Sequence, residues 1–254
     1  MHSYVTLVTN NDFAIGAMAL AKSLIRTKAR YPLSVMVKPE MLLSDKIQEL
    51  KALGCLIYPV ENFIFSEGFK ERHERKNLHK NAPFNKGKKP IFHSPLDNFL
   101  KLHLWELEQY QKVVFLDADC LVYQNIDNLF DFPEFSGSPN LYESLNDMHR
   151  LNSGVFVAKP NQNTLKHMLE ELDTPNAFWR RTDQTFLEYY FPNWHNLPYT
   201  YNCLQYVWFN LPELWRWESI KVIHFQYEKP WEKDHPKAQE LKPLIDLWWE
   251  VYNG

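Results

Sequence analysis

The chain has 254 residues, of which 45% are hydrophobic and 23% charged, and its formal net charge is −3. This length and apolar content suffice for a sizeable core, and the small negative charge argues against a general nucleic-acid-binding protein. The three cysteines lack C-x-x-C spacing, which predicts free thiols in a reducing, cytoplasmic setting rather than disulfides or a zinc site. No apolar run reaches the ~18 residues of a transmembrane helix, and no basic segment precedes the first apolar stretch, so neither a membrane span nor a secretory signal is expected.

The first 60 residues alternate between predicted strands and helices. Apolar, β-branched runs predict strands over residues 4–9, 33–37 and 55–60. Helices are predicted over residues 13–27 and 44–53, the first after the capping residues Asn10–Asp12. The alternation predicts an α/β fold with a mainly parallel central sheet and helices on both faces, taken as one domain over residues 1–254. The glycine fingerprint of dinucleotide-binding folds is absent, which argues against a dehydrogenase.

Residues 66–95 differ in composition, with eight lysines or arginines, three acidic residues and three prolines. Two interpretations stay open: a solvated loop, or a lid or acceptor-binding insertion whose positive charge meets phosphate or acidic groups. A helix is predicted over residues 95–109. It leads directly into the next strand, which would place Lys101 near the end of that strand.

Four apolar residues, Val113–Leu116, predict a buried central strand, and Asp117 and Asp119 follow at once with Ala118 between them. Open α/β sheets bind ligands at the carboxyl ends of their strands, so both carboxylates can project into one crevice. Two carboxylates this close repel each other unless a cation lies between them, and Mg²⁺ and Mn²⁺ prefer such ligands and often share them with substrate phosphates. The pattern predicts a divalent metal site that holds a phosphorylated ligand; a solvated strand-to-turn corner is the alternative.

The remaining predicted elements supply further polar side chains. A strand over residues 154–157 is preceded by Asn152 and Ser153, which either approach a ligand or form a simple turn. His224 lies in the last predicted strand and is either a metal ligand or a structural residue. The other predictions are a strand over residues 222–225 and helices over residues 163–172, 184–190 (with Asp183 in its cap) and 237–252.

Seven segments match the sequence pattern of a known family, in order and over nearly the whole chain. They are YVTLVTNNDFAIGA, FLKLHLWEL, VVFLDADCLVYQNIDNLF, LNSGVFVAKP, TDQTFLEYYF, LPYTYN and VIHFQYEKPW. On these segments the sequence resembles glycosyltransferase family 8, the group of glycogenin and galactinol synthase. The resemblance implies a Rossmann-like nucleotide-sugar transferase fold of the GT-A type. It also implies a retaining hexosyltransferase that moves glucose or galactose from a UDP-sugar to an acceptor hydroxyl, with Mn²⁺, or alternatively Mg²⁺, as cofactor.

The resemblance also implies roles for individual residues. Asp117, Asp119 and His224 would ligate the metal, which bridges the diphosphate of the UDP-sugar. Catalytic roles are implied for Asp183, Gln184 and Lys101, of which the first two would face the transferred hexose. Lys229 would neutralise the leaving diphosphate. The other implied contacts to the UDP-sugar come from Leu7, Val8, Thr9, Asn10, Phe13 (stacked on uracil), Lys101, Ala118, Asn152 and Ser153.

The sequence departs from the family pattern at several positions. The family's glycine between the histidine and K-P-W is missing, and the spacing from His224 to Lys229 is one residue shorter than in glycogenin. Phe92 stands where glycogenin has an arginine, and Arg180 where it has an aspartate. The tyrosine that glycogenin glucosylates on itself falls near Trp208, so self-glucosylation is not expected. The ending LWWEVYN is more similar to galactinol synthase, which predicts a small or separate acceptor.

Two other functions stay open at this point. The segment FLDADCLV also matches the nucleophile motif of haloacid-dehalogenase phosphatases, although a long α/β segment precedes it here. A non-catalytic nucleotide-sugar-binding module would bind the nucleotide without turnover. The expected partners are a UDP-sugar donor and a small-molecule or glycan acceptor; nucleic acid is not expected, and a homodimer is one option for the assembly.

Overall fold

The strands of the described residues form two sheets. The computed structural model describes residues 1–74, 90–174 and 183–254, so the middle of the predicted basic loop, residues 75–89, lies outside the described residues. The strands in these ranges are β1 (His2–Val8), β2 (Leu33–Val37), β3 (Leu56–Pro59), β4 (Lys112–Leu116), β5 (Cys120–Val122), β6 (Ser136–Pro139), β7 (Leu151–Ala158), β8 (His195–Asn196), β9 (Cys203–Leu204) and β10 (Val222–His224).

The larger sheet has the strand order β3-β2-β1-β4-β7-β6-β8. Strands β3, β2, β1 and β4 run parallel, β7 is antiparallel to both β4 and β6, and β8 is parallel to β6. The smaller sheet has the order β5-β10-β9, in which β10 is antiparallel to β5 and parallel to β9. The predicted α/β fold with a mainly parallel central sheet is confirmed.

The helices lie between and around these strands. In the described part of the chain the α-helices are α1 (Asn11–Arg26), α2 (Asp45–Ala52), α3 (Glu67–His73), α4 (Gln162–Leu172), α5 (Asp183–Tyr190), α6 (Val207–Asn210) and α7 (Lys242–Asn253). The 3₁₀ segments are Pro39–Met41, Leu96–Glu106, Asp127–Asp131, Leu145–His149, Tyr199–Asn202 and Pro212–Leu214. Within the described ranges, no helix is both long and apolar enough to cross a lipid bilayer.

Helices cover both faces of the larger sheet because successive side chains of a strand point to opposite faces. On β1, Tyr4 packs in the same apolar cluster as α1 and α2. Its neighbour Val5 packs on the other face, with the Leu96–Glu106 segment, α4 and α5. A third apolar cluster joins the smaller sheet to α7.

Helix α1 supports the turn that follows β4. Asn10 caps the helix, because its side-chain oxygen accepts a hydrogen bond from the backbone N–H of Phe13 at 3.0 Å. One turn later, Gly16 lies directly under Ala118: a Cβ at Gly16 would come within 2.4 Å of the Ala118 carbonyl oxygen. The missing side chain therefore allows the helix to approach the two aspartates that flank Ala118.

Three predicted elements differ from the structure. The helix predicted over residues 95–109 is a shorter 3₁₀ segment, Leu96–Glu106, in which every residue from Phe99 to Trp105 is buried. Tertiary contacts on all sides, rather than an amphipathic pattern, decide its conformation. The C-terminal helix, predicted over residues 237–252, begins only at Lys242, because Pro243 suits the first turn of a helix and not its interior. Asn152 and Ser153 lie inside β7 and not in a turn before it.

Candidate active site

The two aspartates lie on the turn between β4 and β5. The backbone N–H of Asp117 donates to the Gly154 carbonyl oxygen at 2.8 Å, and the Cys120 N–H donates to the Asp117 carbonyl oxygen at 2.9 Å. These bonds attach the turn to β7 and close it. Both carboxylates consequently project beyond the carboxyl end of β4, where the sequence predicted a crevice.

His224 reaches these carboxylates from the smaller sheet. Strand β10 pairs with β5 so that His224 lies opposite Cys120. Its Nε2 atom is 3.2 Å from Oδ1 of Asp119 and 3.9 Å from Oδ2 of Asp117. The ring fits against β7 because Gly154 has no side chain; a Cβ there would lie 2.4 Å from Cε1 of His224. The structure therefore brings the three predicted metal ligands together.

Lys229 also reaches this cluster. Its ammonium group donates to Oδ2 of Asp119 and to the Phe225 carbonyl oxygen, the latter at 2.7 Å. Burial alone would raise the pKa of Asp119, but the positive charge of Lys229 and the contact with His224 outweigh it and hold that pKa well below its usual range. The sequence predicted Lys229 at the diphosphate and did not predict this ion pair with Asp119.

A second ion-pair cluster is centred on Lys101, whose side chain is only 3% exposed. Its Nζ atom is 2.6 Å from Oδ2 of Asp183 and 3.1 Å from Oδ1 of Asp117. Burial would lower the pKa of Lys101, but the two carboxylates outweigh that effect and raise it. The Ser153 hydroxyl donates to Asp183 at 2.6 Å. Lys101 is therefore a buried cation that contacts both Asp117, one of the predicted metal ligands, and Asp183.

Gln184 lies next to this second cluster. Its Oε1 atom accepts a hydrogen bond from the Ser153 backbone N–H at 3.4 Å. The structure thus places Asp183 and Gln184, the first two residues of α5, against the same residue of β7. Their predicted contacts with the hexose stay predictions.

The predicted uridine site lies at the carboxyl end of β1. Leu7 and Val8 end that strand, and Thr9 and Asn10 connect it to α1. Asn10 donates from Nδ2 to the Phe92 carbonyl oxygen at 3.0 Å, and the Phe13 ring packs edge-on against Phe92 with centroids 5.3 Å apart. Phe92, which lies just before the Leu96–Glu106 segment, therefore borders this site. The sequence did not reveal this contact. The contacts of these residues with uridine stay predictions.

Asn152 uses its side-chain amide within the protein. Its Oδ1 atom accepts from the Gly154 backbone N–H at 2.9 Å and from Nδ2 of Asn202 at 2.8 Å, and its own Nδ2 donates to Asn140 at 2.8 Å. Sequence reasoning predicted a sugar or phosphate contact for Asn152 and missed Asn202 and Asn140. The only signal for Asn202 was its position at the end of the segment LPYTYN.

The loop between His224 and Lys229, which lacks the family's glycine, contains a tyrosine in a backbone conformation that favours glycine. Tyr227 adopts a φ of 64°, the left-handed conformation that glycine takes most readily. Its ring packs against Tyr142 and Tyr206, with centroids 5.6 and 5.5 Å away. The next residue, Glu228, is buried and accepts a 2.6 Å hydrogen bond from the Tyr206 hydroxyl. Side-chain packing thus holds a backbone shape that glycine would allow more easily.

The site fits a divalent metal ion. Ligand atoms of Asp119, Cys120 and His224 lie within 4.8 Å of one another. Cys120 is a poor ligand, because burial and then the charge of Asp119 raise the pKa of its thiol well above the usual value. Asp117, Asp119 and His224 offer two carboxylates and an imidazole instead, a donor set that suits Mn²⁺ or Mg²⁺ better than a thiol does.

Sequence comparison identifies the family. The family model described as glycosyl transferase family 8 matches residues 4–235 of the chain. The chain belongs to glycosyltransferase family 8. Galactinol synthase 1 of Solanum lycopersicum is 28% identical to this family 8 protein over 288 residues, which cover 99% of this chain and 81% of the tomato protein. This assignment replaces the phosphatase alternative.

Two solved glycosyltransferases share the fold of this family 8 protein. The galactosyltransferase LgtC, crystallised with donor and acceptor sugar analogues, superposes with a TM-score of 0.66 at 16% identity over 100% of this chain and 95% of LgtC. The apo form of GlyE from Streptococcus pneumoniae TIGR4 superposes with a TM-score of 0.65 at 14% identity. The match covers 98% of this chain but 59% of GlyE, so this chain spans about three fifths of that protein. These likenesses confirm the GT-A type fold, whose glycosyltransferases commonly use a divalent metal.

Proposed function

We propose that this chain transfers a hexose from a UDP-sugar to an acceptor hydroxyl, with Mn²⁺ or Mg²⁺ as cofactor and with retention of the anomeric configuration. The observation that carries the proposal is the convergence of Asp117, Asp119 and His224 at the carboxyl end of β4, next to the ion pair of Lys101 with Asp183. Asp117, Asp119 and His224 would hold the metal and, through it, the diphosphate. The ion pair of Lys101 with Asp183 would lie beside the sugar. Family membership supports this arrangement of roles.

Charge development explains the role of Lys229. Cleavage of the bond between the sugar and UDP moves negative charge onto the diphosphate, and groups aimed at that charge lower the barrier. The ammonium group of Lys229, which is paired with Asp119, would lie beside the metal and would meet an outer phosphate oxygen of the diphosphate. The bound divalent ion would supply Lewis-acid stabilisation of the same leaving group.

The surroundings of Asp183 favour attack by the acceptor on the same face of the sugar. Oδ2 of Asp183 is occupied by Lys101 and by the Ser153 hydroxyl, both at 2.6 Å. A carboxylate held by a buried ammonium group is a weak nucleophile, so a covalent glycosyl-enzyme intermediate at Asp183 is disfavoured. Asp183, through its other oxygen, and Gln184 would instead stabilise positive charge on the sugar and orient it.

The names of the relatives guide the choice of donor and acceptor. Galactinol synthases and a galactosyltransferase are among them, which makes UDP-galactose the first donor to test and UDP-glucose the second. The likeness to galactinol synthases over 99% of the chain also favours a small acceptor that is separate from the protein.

The experiment is a donor screen that measures UDP release with Mn²⁺, with Mg²⁺ and with a chelator, across a panel of small polyol and sugar acceptors. We expect metal-dependent UDP release from one UDP-hexose, stimulated by one class of acceptor, and loss of release in Asp119→Asn. UDP binding without turnover for any donor or acceptor would support the non-catalytic binding module instead. Phosphate release from simple phosphomonoesters, without UDP release, would contradict the proposal.

A further inference from the structure

A line of hydrogen bonds connects the backbone of β7 to the imidazole of His224. The Gly154 backbone N–H donates to Oδ1 of Asn152 at 2.9 Å, and Nδ2 of Asn202 donates to the same oxygen at 2.8 Å. Oδ1 of Asn202 then lies 2.9 Å from Nδ1 of His224. Asn152, Asn202 and His224 are 7%, 1% and 5% exposed, so water has little access to replace any of these hydrogen-bond partners.

The Gly154 backbone N–H determines which atom is the donor and which the acceptor in each of these hydrogen bonds. A backbone N–H can only donate, so the Asn152 atom that it contacts must be the carbonyl oxygen. Because that oxygen also faces Asn202, Asn202 must present its NH₂ group to Asn152 and its own carbonyl oxygen to His224. An oxygen there is an acceptor, and Nδ1 of His224 must therefore carry a proton.

We propose that Gly154, Asn152 and Asn202 fix a proton on Nδ1 of His224, so that Nε2, the ring nitrogen that faces the two aspartates, is the one that can bind the divalent ion. The proposal deepens the proposed function, because it rests on His224 as a ligand of the divalent ion. Asn202 is a positioning residue here, since it touches the ligand and not the metal or the substrate. Outer partners of this kind fix both the ring orientation and the tautomer of a metal-binding histidine.

Gly154 has two roles in this arrangement. It supplies the donor at the start of the line, and its missing side chain leaves room for the ring at the other end. A Cβ at Gly154 would lie 2.5 Å from Nδ1 of His224 and 2.9 Å from Oδ1 of Asn152. The same residue thus positions both ends of the hydrogen-bonded line.

The test uses the full chain labelled with ¹⁵N-histidine, and the His224 signals are assigned from their absence in His224→Gln. In the metal-free wild type we expect the Nδ1 signal of His224 to show a bound proton, and with Mg²⁺ we expect Nδ1 to keep its proton and Nε2 to carry none. An unprotonated Nδ1 in the wild type would overturn the proposal without any variant. If the wild type shows the Nδ1 proton but binds neither Mn²⁺ nor Mg²⁺, the metal site of the proposed function fails while the assignment of the Nδ1 proton to the hydrogen bond with Asn202 stands.

Two substitutions at one position separate positioning from simple structural support. Asn202→Leu removes the acceptor, so we expect Nδ1 to lose its proton and the Mn²⁺ dissociation constant, measured by electron paramagnetic resonance without substrate, to rise about 10–100-fold. Asn202→Asp keeps an oxygen acceptor at Nδ1 and should retain the Nδ1 proton and bind Mn²⁺ at least about 5-fold more tightly than Asn202→Leu. Both variants lose the hydrogen bond to Asn152, so both should melt at lower temperature.

Asn128→Leu is the matched control, because Asn128 donates a side-chain hydrogen bond to Tyr201 and takes no part in the line to His224. We expect its Mn²⁺ affinity to equal that of the wild type. Unchanged Mn²⁺ affinity in Asn202→Leu would overturn the proposal. Equal loss of affinity in Asn202→Leu and Asn202→Asp, in proportion to their loss of stability, would also overturn it, because a purely structural role predicts that result.

Discussion

Asp117 and Asp119 stand two residues apart, yet their surroundings shift their pKa values in opposite directions. Burial raises the pKa of Asp117 and the nearby charge of Asp119 adds to this effect, although Lys101 opposes both. For Asp119, the cation of Lys229 overcomes the cost of burial and lowers the pKa. Such divergence between neighbouring carboxylates is typical of functional sites. In the metal-free protein, Lys101 beside Asp117 and Lys229 beside Asp119 thus supply part of the positive charge that a divalent ion would supply.

At the residue scale, the first prediction concerns Lys229. Lys229→Met removes the cation that competes with a metal for Asp119, so we expect Mn²⁺ alone to bind several-fold more tightly, while UDP in the presence of Mn²⁺ binds roughly 10-fold more weakly. Calorimetric titrations with each ligand measure both effects. Lys233→Met, a change at an exposed lysine four residues away, is the control. Weaker binding of Mn²⁺ alone in Lys229→Met would show that Lys229 supports the metal site instead of competing with it.

The second prediction concerns Asp183. Asp183→Asn keeps the shape of the side chain but removes the charge next to Lys101, so we expect turnover to fall by about 100-fold or more, while the dissociation constant of UDP with Mn²⁺ changes less than about 2-fold. Steady-state UDP release and calorimetry provide the two values. Glu188→Gln, on the same helix and paired with Arg150 near the surface, should keep wild-type turnover. Undiminished turnover in Asp183→Asn would remove Asp183 from the catalytic residues.

Part of the site could be predicted from single residues and part could not. Asp117 and Asp119 are recognisable because only Ala118 separates them and because they follow a fully apolar strand. The role of His224 came from the family resemblance, since its contact with Asp119 depends on the pairing of β10 with β5. The contact of Asn202 with His224 and the ion pair between Lys229 and Asp119 could not be predicted locally, because both depend on side chains that meet only after the two sheets have formed.

At the element scale, the approach of α1 to the turn between β4 and β5 provides the third prediction. In Gly16→Ala, the new Cβ would lie 2.4 Å from a backbone oxygen and 2.8 Å from the Trp231 ring, so we expect the free energy of unfolding to fall by about 1–3 kcal/mol. Urea denaturation measures the change. In Gly68→Ala, in helix α3, the new Cβ would lie 3.4 Å from the end of the Arg72 side chain and 4.0 Å from Oγ of Ser66, so the change should be neutral or slightly stabilising. Equal stability of Gly16→Ala and the wild type would show that α1 can move away from the turn.

The elements themselves differ in how far local sequence determines them. The ends of strands β1 to β3 and of helices α1 and α2 were all predicted to within two residues, because apolar runs and capping residues alternate clearly there. The Leu96–Glu106 segment was predicted as a longer helix over residues 95–109, and its 3₁₀ conformation was not predicted, because a buried segment with Lys101 and His103 inside it carries no amphipathic pattern. The antiparallel direction of β7 depends on its pairing with β4 and β6, which no local pattern encodes.

At the scale of the whole molecule, buried histidines connect stability to pH. Burial lowers the pKa of His73 and of His235 below the usual value of 6.5. The unfolded chain therefore binds protons at these residues more readily than the folded protein does. Their contribution to stability is complete above about pH 6.5 and declines as the pH falls below that value.

The fourth prediction follows from this linkage. Between pH 7 and 5.5, we expect the urea midpoint of His235→Gln to fall less steeply than that of the wild type, because one of the groups that must take up a proton has been removed. His195→Gln is the control, since His195 is exposed at the end of the larger sheet and should leave the slope unchanged. A slope in His235→Gln equal to that of the wild type would show that His235 does not contribute to the pH dependence.

The whole molecule also explains how distant segments make one site. Lys101, Asp117, Ser153, Asp183 and His224 come from five separate elements and meet at the carboxyl end of the central strands. Parallel strands β1 and β4 end at the same edge of the sheet, and the smaller sheet adds β10 beside them. The fold family could be predicted from the order of seven short segments, but this convergence required the three-dimensional structure.

The central claim is that Asp117, Asp119 and His224 together hold a divalent ion that contacts the diphosphate of the donor. Crystals grown with Mn²⁺ and UDP, and measured at a wavelength where manganese scatters anomalously, test it most directly. We predict one strong anomalous peak within coordination distance of Nε2 of His224, of both carboxylates and of two phosphate oxygens. A peak that lies elsewhere, or UDP bound in this crevice without manganese between the diphosphate and the aspartates, would contradict the claim.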